Sequence, residues 1–291
     1  MPVAEFDSWP AGLQNRFIRL QEVPMRRMPA VAGQFYPADA NSLRTMVEGF
    51  LGKASRSNPA LGLMVPHAGY IFSGAFAGQT FGSVDIPTKV VIIGPNHTGY
   101  GESLALFAKG SWVTPLGEVP VEEDLADKIL KAFPRLVADD LAHRFEHSLE
   151  VQVPFLQVKA PQVQIVPLCL APVPLAELLA LGEAVGKVLA SEKERVLLVA
   201  SSDMTHYEPG IAARKKDQMA LKHVCALDPE GLYRTVSSEQ ISMCGVVSTV
   251  VMLSAAKYLG ARKGHLICYG NSGDVTGDQS EVVGYAGVVV D

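Results

Sequence analysis

The chain has 291 residues, of which 48% are apolar and 19% are charged. These proportions are typical of a globular protein with a large buried core, and they exclude a disordered, collagen-like or coiled-coil chain. The net charge is −5 and no basic run occurs, so nucleic acid is not expected as a partner. The most apolar stretch, residues 246–256, is too short to cross a membrane, and no membrane association is expected.

The N-terminus and the cysteines bear on the compartment. Residues 1–28 place Glu5 and Asp7 before any basic residue and contain no apolar core of a signal peptide. We interpret these residues as an extension that packs on the main domain. The four cysteines are widely spaced and form no Cys-x-x-Cys pair, which favours a reducing, cytoplasmic setting.

After residue 28, short apolar runs alternate with longer helical patterns. Strands are predicted at residues 61–65, 89–93, 104–108, 163–168, 195–200, 265–269 and 282–290. Helices are predicted at residues 73–81, 121–132, 148–158, 175–190, 212–226, 229–236 and 246–259. The strands are apolar at odd and even positions alike, as in a sheet covered on both faces. We therefore predict one α/β domain over residues 29–291, a layered sandwich with a mostly parallel or mixed central sheet flanked by helices.

Loops that carry histidine follow three of the predicted strands, the first, the second and the fifth. The histidines are His67, His97 and His206, and Asp203 lies in the same loop as the last of them. Because loops at the carboxyl ends of parallel strands meet in one crevice, we expect these side chains to lie together. A single such histidine is more often structural, but three at equivalent strand ends favour a site for metal binding or proton transfer.

Cys244 directly precedes the helix predicted at residues 246–259. The N-terminus of a helix lowers the pKa of a thiol and so favours the thiolate, which binds metals and attacks electrophiles. A buried, inert cysteine is the alternative interpretation. Cys169 and Cys268 fall inside apolar strand patterns, and we expect them to be structural.

Residues 143–147 read His-Arg-Phe-Glu-His, the pattern of a helix that holds zinc in one class of proteases. Such a site needs a further ligand from a downstream helix, and no predicted helix offers an obvious one. For Glu146, His147 and Glu150 we instead expect either a helix-capping role or hydrogen bonds that hold the metal ligands in place. The glycine motifs of nucleotide-binding proteins and the nucleophile elbow of serine hydrolases are absent from the sequence.

Six ordered motifs resemble the Memo family, whose prokaryotic members are called AmmeMemoRadiSam system protein B. The similarity runs from about Val31 to the C-terminus, and the motifs begin at Pro66, Gly94, Glu146, Ser201, Cys244 and Gly284. The resemblance implies a fold akin to the LigB-type class III extradiol dioxygenases. Those enzymes hold non-haem iron(II) with two histidines and a glutamate, whereas Memo-type sites pair two histidines with a cysteine.

By this resemblance, His67, His97 and Cys244 are the metal ligands, and Asp203 and His206 are the catalytic pair, in which Asp203 orients His206. The resemblance implies one metal ion, with iron(II) or copper favoured and zinc as a further candidate. A thiolate in place of the carboxylate shifts metal preference toward copper(I) or zinc, so catechol cleavage does not transfer with the fold.

We therefore expect a metal-dependent oxidoreductase or dioxygenase-like enzyme that acts on a small or peptide-linked substrate. The alternative is a non-enzymatic binding module that captures a peptide or protein partner in the same crevice. The family name implies a radical S-adenosylmethionine protein and an AMMECR-type protein as partners. A hydrolase that uses a metal-activated water is the third candidate.

Overall fold

The computed structural model describes residues 25–52 and 59–291. In these residues the strands are β1 (Arg26–Arg27), β2 (Gly62–Val65), β3 (Lys89–Pro95), β4 (Leu104–Leu106), β5 (Ser111–Thr114), β6 (Gly117–Pro120), β7 (Val137–Ala138), β8 (Gln164–Leu170), β9 (Val196–Ser201), β10 (His206–Glu208), β11 (Gly264–Asn271) and β12 (Val282–Val290). The helices are α1 (Ala40–Leu51), α2 (Tyr70–Gly82), α3 (Glu123–Ala132), α4 (Val153–Lys159), α5 (Leu175–Ala190), α6 (Gly210–Cys225), α7 (Pro229–Ser238), α8 (Val246–Tyr258) and α9 (Gly273–Thr276).

The central sheet orders its described strands β10-β12-β2-β9-β3-β8-β4-β7, and β11 also pairs with β12. The four neighbours β2, β9, β3 and β8 run parallel, and almost every side chain in them is buried. Strands β12 and β4 flank this group in the antiparallel sense. The sheet is therefore mixed with a parallel centre, which confirms the predicted α/β class.

Helices cover the sheet. Helix α8 packs on β2, β3 and β9 and is covered in turn by α5, which explains why its residues are apolar on nearly all sides. A Cβ at Gly182 of α5 would lie 2.7 Å from the carbonyl oxygen of Val251, so the small residue lets the two helices approach closely. Helix α2 packs on β2, β11 and β12, and α1 lies against α2.

Every predicted strand is present, with ends that differ by at most two residues. The helix predicted at residues 148–158 is wrong at its start: a 3-10 turn, Glu150–Gln152, comes first, and the α-helix begins at Val153. Pro154 accounts for this, because proline fits only the first turn of an α-helix. Helix α1, the β5–β6 hairpin and several short elements were not predicted from the sequence.

The start of the described chain belongs to a small three-stranded sheet, β1-β5-β6. Arg27 in β1 is buried and forms an ion pair with Glu150. Residues 1–24 of the predicted extension lie outside the described residues, and the boundary at residue 28 stays a prediction. No helix in the described part of the chain has both the length and the hydropathy that crossing a bilayer demands.

Candidate metal centre

The carboxyl ends of β2, β3 and β9 bring the three histidine-bearing loops to one edge of the sheet. His67 follows β2, His97 follows β3, and Asp203 and His206 follow β9. The rings of His67 and His97 have centroids 5.2 Å apart and meet edge to face. The loops therefore converge, because their strands are parallel neighbours in the sheet.

Cys244 completes the group from the start of α8. Its Sγ lies 3.1 Å from Nε2 of His67. The donor atoms of His67, His97 and Cys244 all lie within 4.8 Å of one another. Gly245 makes this approach feasible, because a Cβ there would lie 2.3 Å from the carbonyl oxygen of Ser201 at the end of β9.

The hydrogen bonds of His67 determine which ring nitrogen carries the proton. Its Nδ1 lies 2.8 Å from Oγ of Ser201. That hydroxyl donates its only proton to the carbonyl oxygen of Ser148 and accepts a bond from Nε2 of Gln152. Nδ1 of His67 must therefore be the donor, which leaves the lone pair of Nε2 free and directed at Cys244.

His97 adopts the same tautomer through a carboxylate. Its Nδ1 lies 2.9 Å from Oε1 of Glu146, and its backbone amide donates to Oε2 of that residue. Burial by itself would raise the pKa of Glu146, but the bonds to His97 and to the Ser148 amide lower it to about 2. The ionised carboxylate accepts the Nδ1 proton, so Nε2 of His97 is available for a metal.

A second group of donor atoms, from His97, Glu146 and His147, is also compact enough for a metal. The carboxylate of Glu146 already accepts bonds from Nδ1 of His97 and from two backbone amides, which leaves it little capacity as a ligand. The ring of His147 stacks on His97 with centroids 4.8 Å apart and packs against Phe35. Glu146 is thus a hydrogen-bond partner of His97, and the group of His67, His97 and Cys244 is the better candidate for a metal site.

The expectation that the start of α8 lowers the pKa of Cys244 is wrong. Burial and the negative charge of Asp203 raise the pKa of this thiol well above its usual range. Burial also lowers the pKa of His67, with a further contribution from the neighbouring histidines. Without a metal ion the pair is therefore a neutral thiol beside a neutral imidazole, and a metal ion would have to displace the thiol proton.

Asp203 and His206 occupy the site without forming the expected pair. Oδ1 of Asp203 accepts the backbone amide of His67 at 2.8 Å, so this carboxyl group fixes the His67 loop. His206 donates from Nδ1 to the carbonyl oxygen of Ser242 at 2.9 Å, and its amide bonds to the hydroxyl of the same residue. Ser242, rather than Asp203, orients the ring. Burial raises the pKa of Asp203 to about 6.

The His-Arg-Phe-Glu-His segment does not form the helix that a zinc protease needs. His143 ends a 3-10 turn, Leu141–His143, and is fully buried against the rings of Phe107 and Trp112. Glu150 also differs from its expected supporting role, because its carboxylate binds Arg27, Tyr36 and two backbone amides of the N-terminal segment. It anchors that segment and does not contact the ligand histidines through these bonds.

Several supporting residues were not singled out from the sequence: Ser148, Gln152, Ser201 and Ser242. Two of them stand inside motifs that the sequence analysis did notice, Glu-His-Ser and Ser-Ser-Asp, and Ser242 lies two residues before Cys244. Proximity to a candidate ligand was the available signal.

The chemistry of the donor set fits a transition-metal ion. Two neutral imidazoles and one thiolate form a combination that suits copper, iron or zinc. The separation of 3.1 Å between Nε2 and Sγ is close to what two ligands of one metal require, given metal–ligand bonds of about 2.0–2.3 Å. The fold and this group together define an α/β protein with a His/His/Cys candidate metal centre at the carboxyl edge of its sheet.

Comparison with known proteins places the chain within a family. Residues 27–289 match the family model described as Memo-like protein. The MEMO1 family protein of Aquifex aeolicus is 44% identical, covering 90% of this chain and 98% of its own length. A MEMO1 family protein of Methanopyrus kandleri is 42% identical, covering 91% and 99%. The chain belongs to the Memo family.

Among solved structures, an uncharacterized protein from Escherichia coli K12 has a similar fold. The TM-score is 0.53 with 14% sequence identity, and the match covers 79% of this chain and 99% of that chain. At this level of identity the likeness concerns the fold alone.

Proposed function

We propose that the protein binds one metal ion through His67, His97 and Cys244 and acts as a metal-dependent oxidoreductase or dioxygenase-like enzyme. The observation that supports this best is the convergence of two Nε2 lone pairs and one thiol from three separate elements. Each imidazole is fixed by a hydrogen bond on its far side, an arrangement typical of metal-ligating histidines. Iron(II) or copper is favoured, with zinc as the alternative.

A bound iron or copper ion would supply redox chemistry at this position. The protein's own contribution is to orient the ligands and to transfer protons. His206 presents Nε2 as a base, since its Nδ1 proton is committed to Ser242. Asp203, with a pKa of about 6, is a second group that changes protonation near neutral pH.

Metal content of the purified protein tests the ligand assignment. The untagged chain, purified anaerobically, should contain near-stoichiometric iron or copper by mass spectrometry, and His67→Ala and Cys244→Ala should lose most of it. Cys268→Ala is the matched control, because its thiol lies against Phe76 and Thr80 and should leave metal content unchanged. Retention of metal in both ligand variants, or a native chain that takes up no iron(II), copper(I) or zinc, would overturn the proposal.

The role of His206 has a separate test. His206→Ala should keep full metal content, because the ring is oriented by Ser242 and is absent from the candidate ligand group. Oxygen uptake with catechols and thiols should fall by about 10²–10⁴-fold, the usual contribution of an acid or base. Uptake equal to that of the native protein would remove His206 from the reaction.

A second candidate function is supported by exposed apolar side chains in the chain segments that carry the site histidines. Ile71, Tyr100, Phe145, Tyr207 and Ile211 are each more than half exposed, and each lies within five residues of a site histidine along the chain. Exposed apolar surface at such a position favours contact with a protein or peptide partner. We therefore keep the binding module as the alternative, with radical S-adenosylmethionine and AMMECR-type proteins as partners.

The alternative predicts that partner binding survives loss of the metal. The two partner classes should bind His67→Ala as tightly as the native chain and bind the double variant Tyr207→Ser, Ile211→Ser at least tenfold more weakly in surface-based binding measurements. Equal binding by the native chain and the serine variant would contradict the binding-module alternative.

The four cysteines are free thiols, which suits the reducing environment of the cytoplasm that we propose for either function.

A further inference from the structure

A cavity of about 380 Å³ opens beside the candidate metal centre. His97 and Cys244, two of the three candidate ligands, form part of its lining. The rest of the lining comes from helix α7, the start of α8 and the residues at the ends of β3 and β8. A molecule bound at the metal would therefore extend into this space.

The walls of the cavity are mostly apolar, and the described residues that form them contain no acidic or basic side chain other than that of His97. Among the described residues, its lining includes no lysine, arginine, aspartate or glutamate. The amide of Asn96 is committed to its own loop, since it binds the Tyr100 carbonyl and the amides of Thr98 and Gly99. The apolar part of the lining comes from Pro95, Leu170, Pro172, Val236, Met243, Val246 and Val247, together with the ring of Tyr233.

The apolar part of the lining offers no partner for a charged group. An anionic group placed among these apolar side chains, away from the metal ligands, would lose hydration without gaining a cation there. The cavity should thus reject an anionic group and favour an apolar one.

The volume limits the size of the ligand. A dry apolar cavity of about 150 Å³ is enough to bind benzene. The cavity here is more than twice that size, which allows one ring with a short substituent or an alkyl chain of similar volume.

We infer that the substrate presents an uncharged, apolar body of about one ring to this cavity while a polar donor atom points toward His97 and Cys244. This inference rests on the proposed metal centre and adds a substrate class to it. Burial of the apolar body provides affinity, and the absence of a counter-charge among the apolar side chains provides specificity against a carboxylate or phosphate on that body.

The test compares p-cresol with 4-hydroxybenzoate, which differ by a methyl group and a carboxylate. Calorimetric titration of the zinc-loaded and the chelator-treated protein should show that p-cresol binds at least about tenfold more tightly, a difference of about 1.4 kcal/mol. Zinc is chosen because it does not oxidise phenols. Val247→Phe, which fills part of the cavity, should weaken p-cresol binding.

Two arginine variants test whether the preference for the uncharged ligand arises in the cavity. Ser237 is exposed on α7 and borders the cavity, whereas its neighbour Ser238 is exposed but does not border it. Ser237→Arg should reduce the preference for p-cresol at least fivefold by improving 4-hydroxybenzoate binding, and Ser238→Arg should leave the ratio unchanged. Equal shifts in both variants would show a general effect of surface charge and would overturn the inference.

The remaining outcomes separate this inference from the proposed metal centre. Absence of p-cresol binding, or a native preference for 4-hydroxybenzoate, overturns the substrate class even when the protein holds its metal. Selective p-cresol binding that responds to Ser237→Arg supports the cavity's selectivity, and metal content measured on the same preparations decides the metal centre independently.

Discussion

Three histidines at the site share one protonation pattern, although their partners differ. His67, His97 and His206 each donate from Nδ1, to a hydroxyl, a carboxylate and a backbone carbonyl respectively. Each ring therefore keeps its Nε2 lone pair for a metal or a proton. Because the pattern is set by the protein before any ligand arrives, binding does not have to select among tautomers.

Ser201 tests this pattern, since its hydroxyl is the acceptor for His67. Ser201→Ala removes that acceptor and frees the ring to rotate or change tautomer, so metal affinity should fall by about 10–100-fold. Chelator competition with zinc measures the affinity. Ser202→Ala is the matched control, because that hydroxyl bonds to the Asp203 carbonyl and leaves the imidazole untouched. An equal loss in both serine variants would contradict the role assigned to Ser201.

At this scale the sequence predicted residue types better than their environments. His67, His97 and Cys244 could be identified because ligand chemistry at strand ends leaves a local signal. The hydroxyl of Ser201 could not, because its role depends on Gln152 and Ser148, which lie about fifty residues away along the chain. The direction of the pKa shift of Cys244 was wrong for a similar reason: the helix start is local, whereas the burial and the Asp203 charge that dominate are tertiary.

At the scale of elements, the site depends on how closely α8 approaches β9. Gly245, at the start of α8, sits where a side chain would overlap Ser201 and Ser202 at the end of β9. The same contact positions Cys244 beside His67. Strand β9 and helix α8 therefore function as a unit in which the backbone spacing sets the separation of the donor atoms.

Gly245→Ala should destabilise the fold and disturb the site together. The added Cβ would lie 2.3 Å from an oxygen and 2.4 Å from a carbon, so the backbone must shift, at a cost of about 1–3 kcal/mol in the free energy of unfolding. Gly49→Ala in α1 has no atom within 4 Å and should instead stabilise by about 0.5–1 kcal/mol. Urea unfolding distinguishes the two, and similar effects in both variants would refute the spacing argument.

Elements with a strong periodic signal were predictable, and those fixed by tertiary contacts were not. Strand β12 and helix α5 match their predicted bounds because their apolar patterns are long and end at turns or helix-breaking residues. The β5–β6 hairpin has strands of only four residues, and its third strand, β1, comes from more than eighty residues earlier in the chain. Helix α4 starts late because Pro154 must lie in its first turn, a local rule that the sequence analysis did not apply.

Buried histidines make the stability of the whole molecule depend on pH. His143 is fully buried, and this burial, with a further contribution from Arg27, lowers its pKa from about 6.5 to about 3. Below pH 6.5 the unfolded chain binds a proton that the folded chain accepts only near pH 3. The contribution of His143 to the free energy of unfolding is therefore complete above pH 6.5. It is lost as the pH falls toward 3, and the total loss is up to about 5 kcal/mol.

His143→Phe isolates this contribution, because phenylalanine keeps a ring between Phe107 and Trp112 but binds no proton. Urea unfolding in the presence of a chelator, at several pH values between 6 and 4, gives the free energy of unfolding of each protein. The native chain should lose about 1.4 kcal/mol more per pH unit than the variant, the slope for one proton. The free energy of unfolding of His143→Leu should depend on pH with the same slope as that of His143→Phe. Because the two variants differ in packing, a change in packing cannot imitate the result. Parallel curves for the native chain and both variants would mean that His143 does not limit stability in acid.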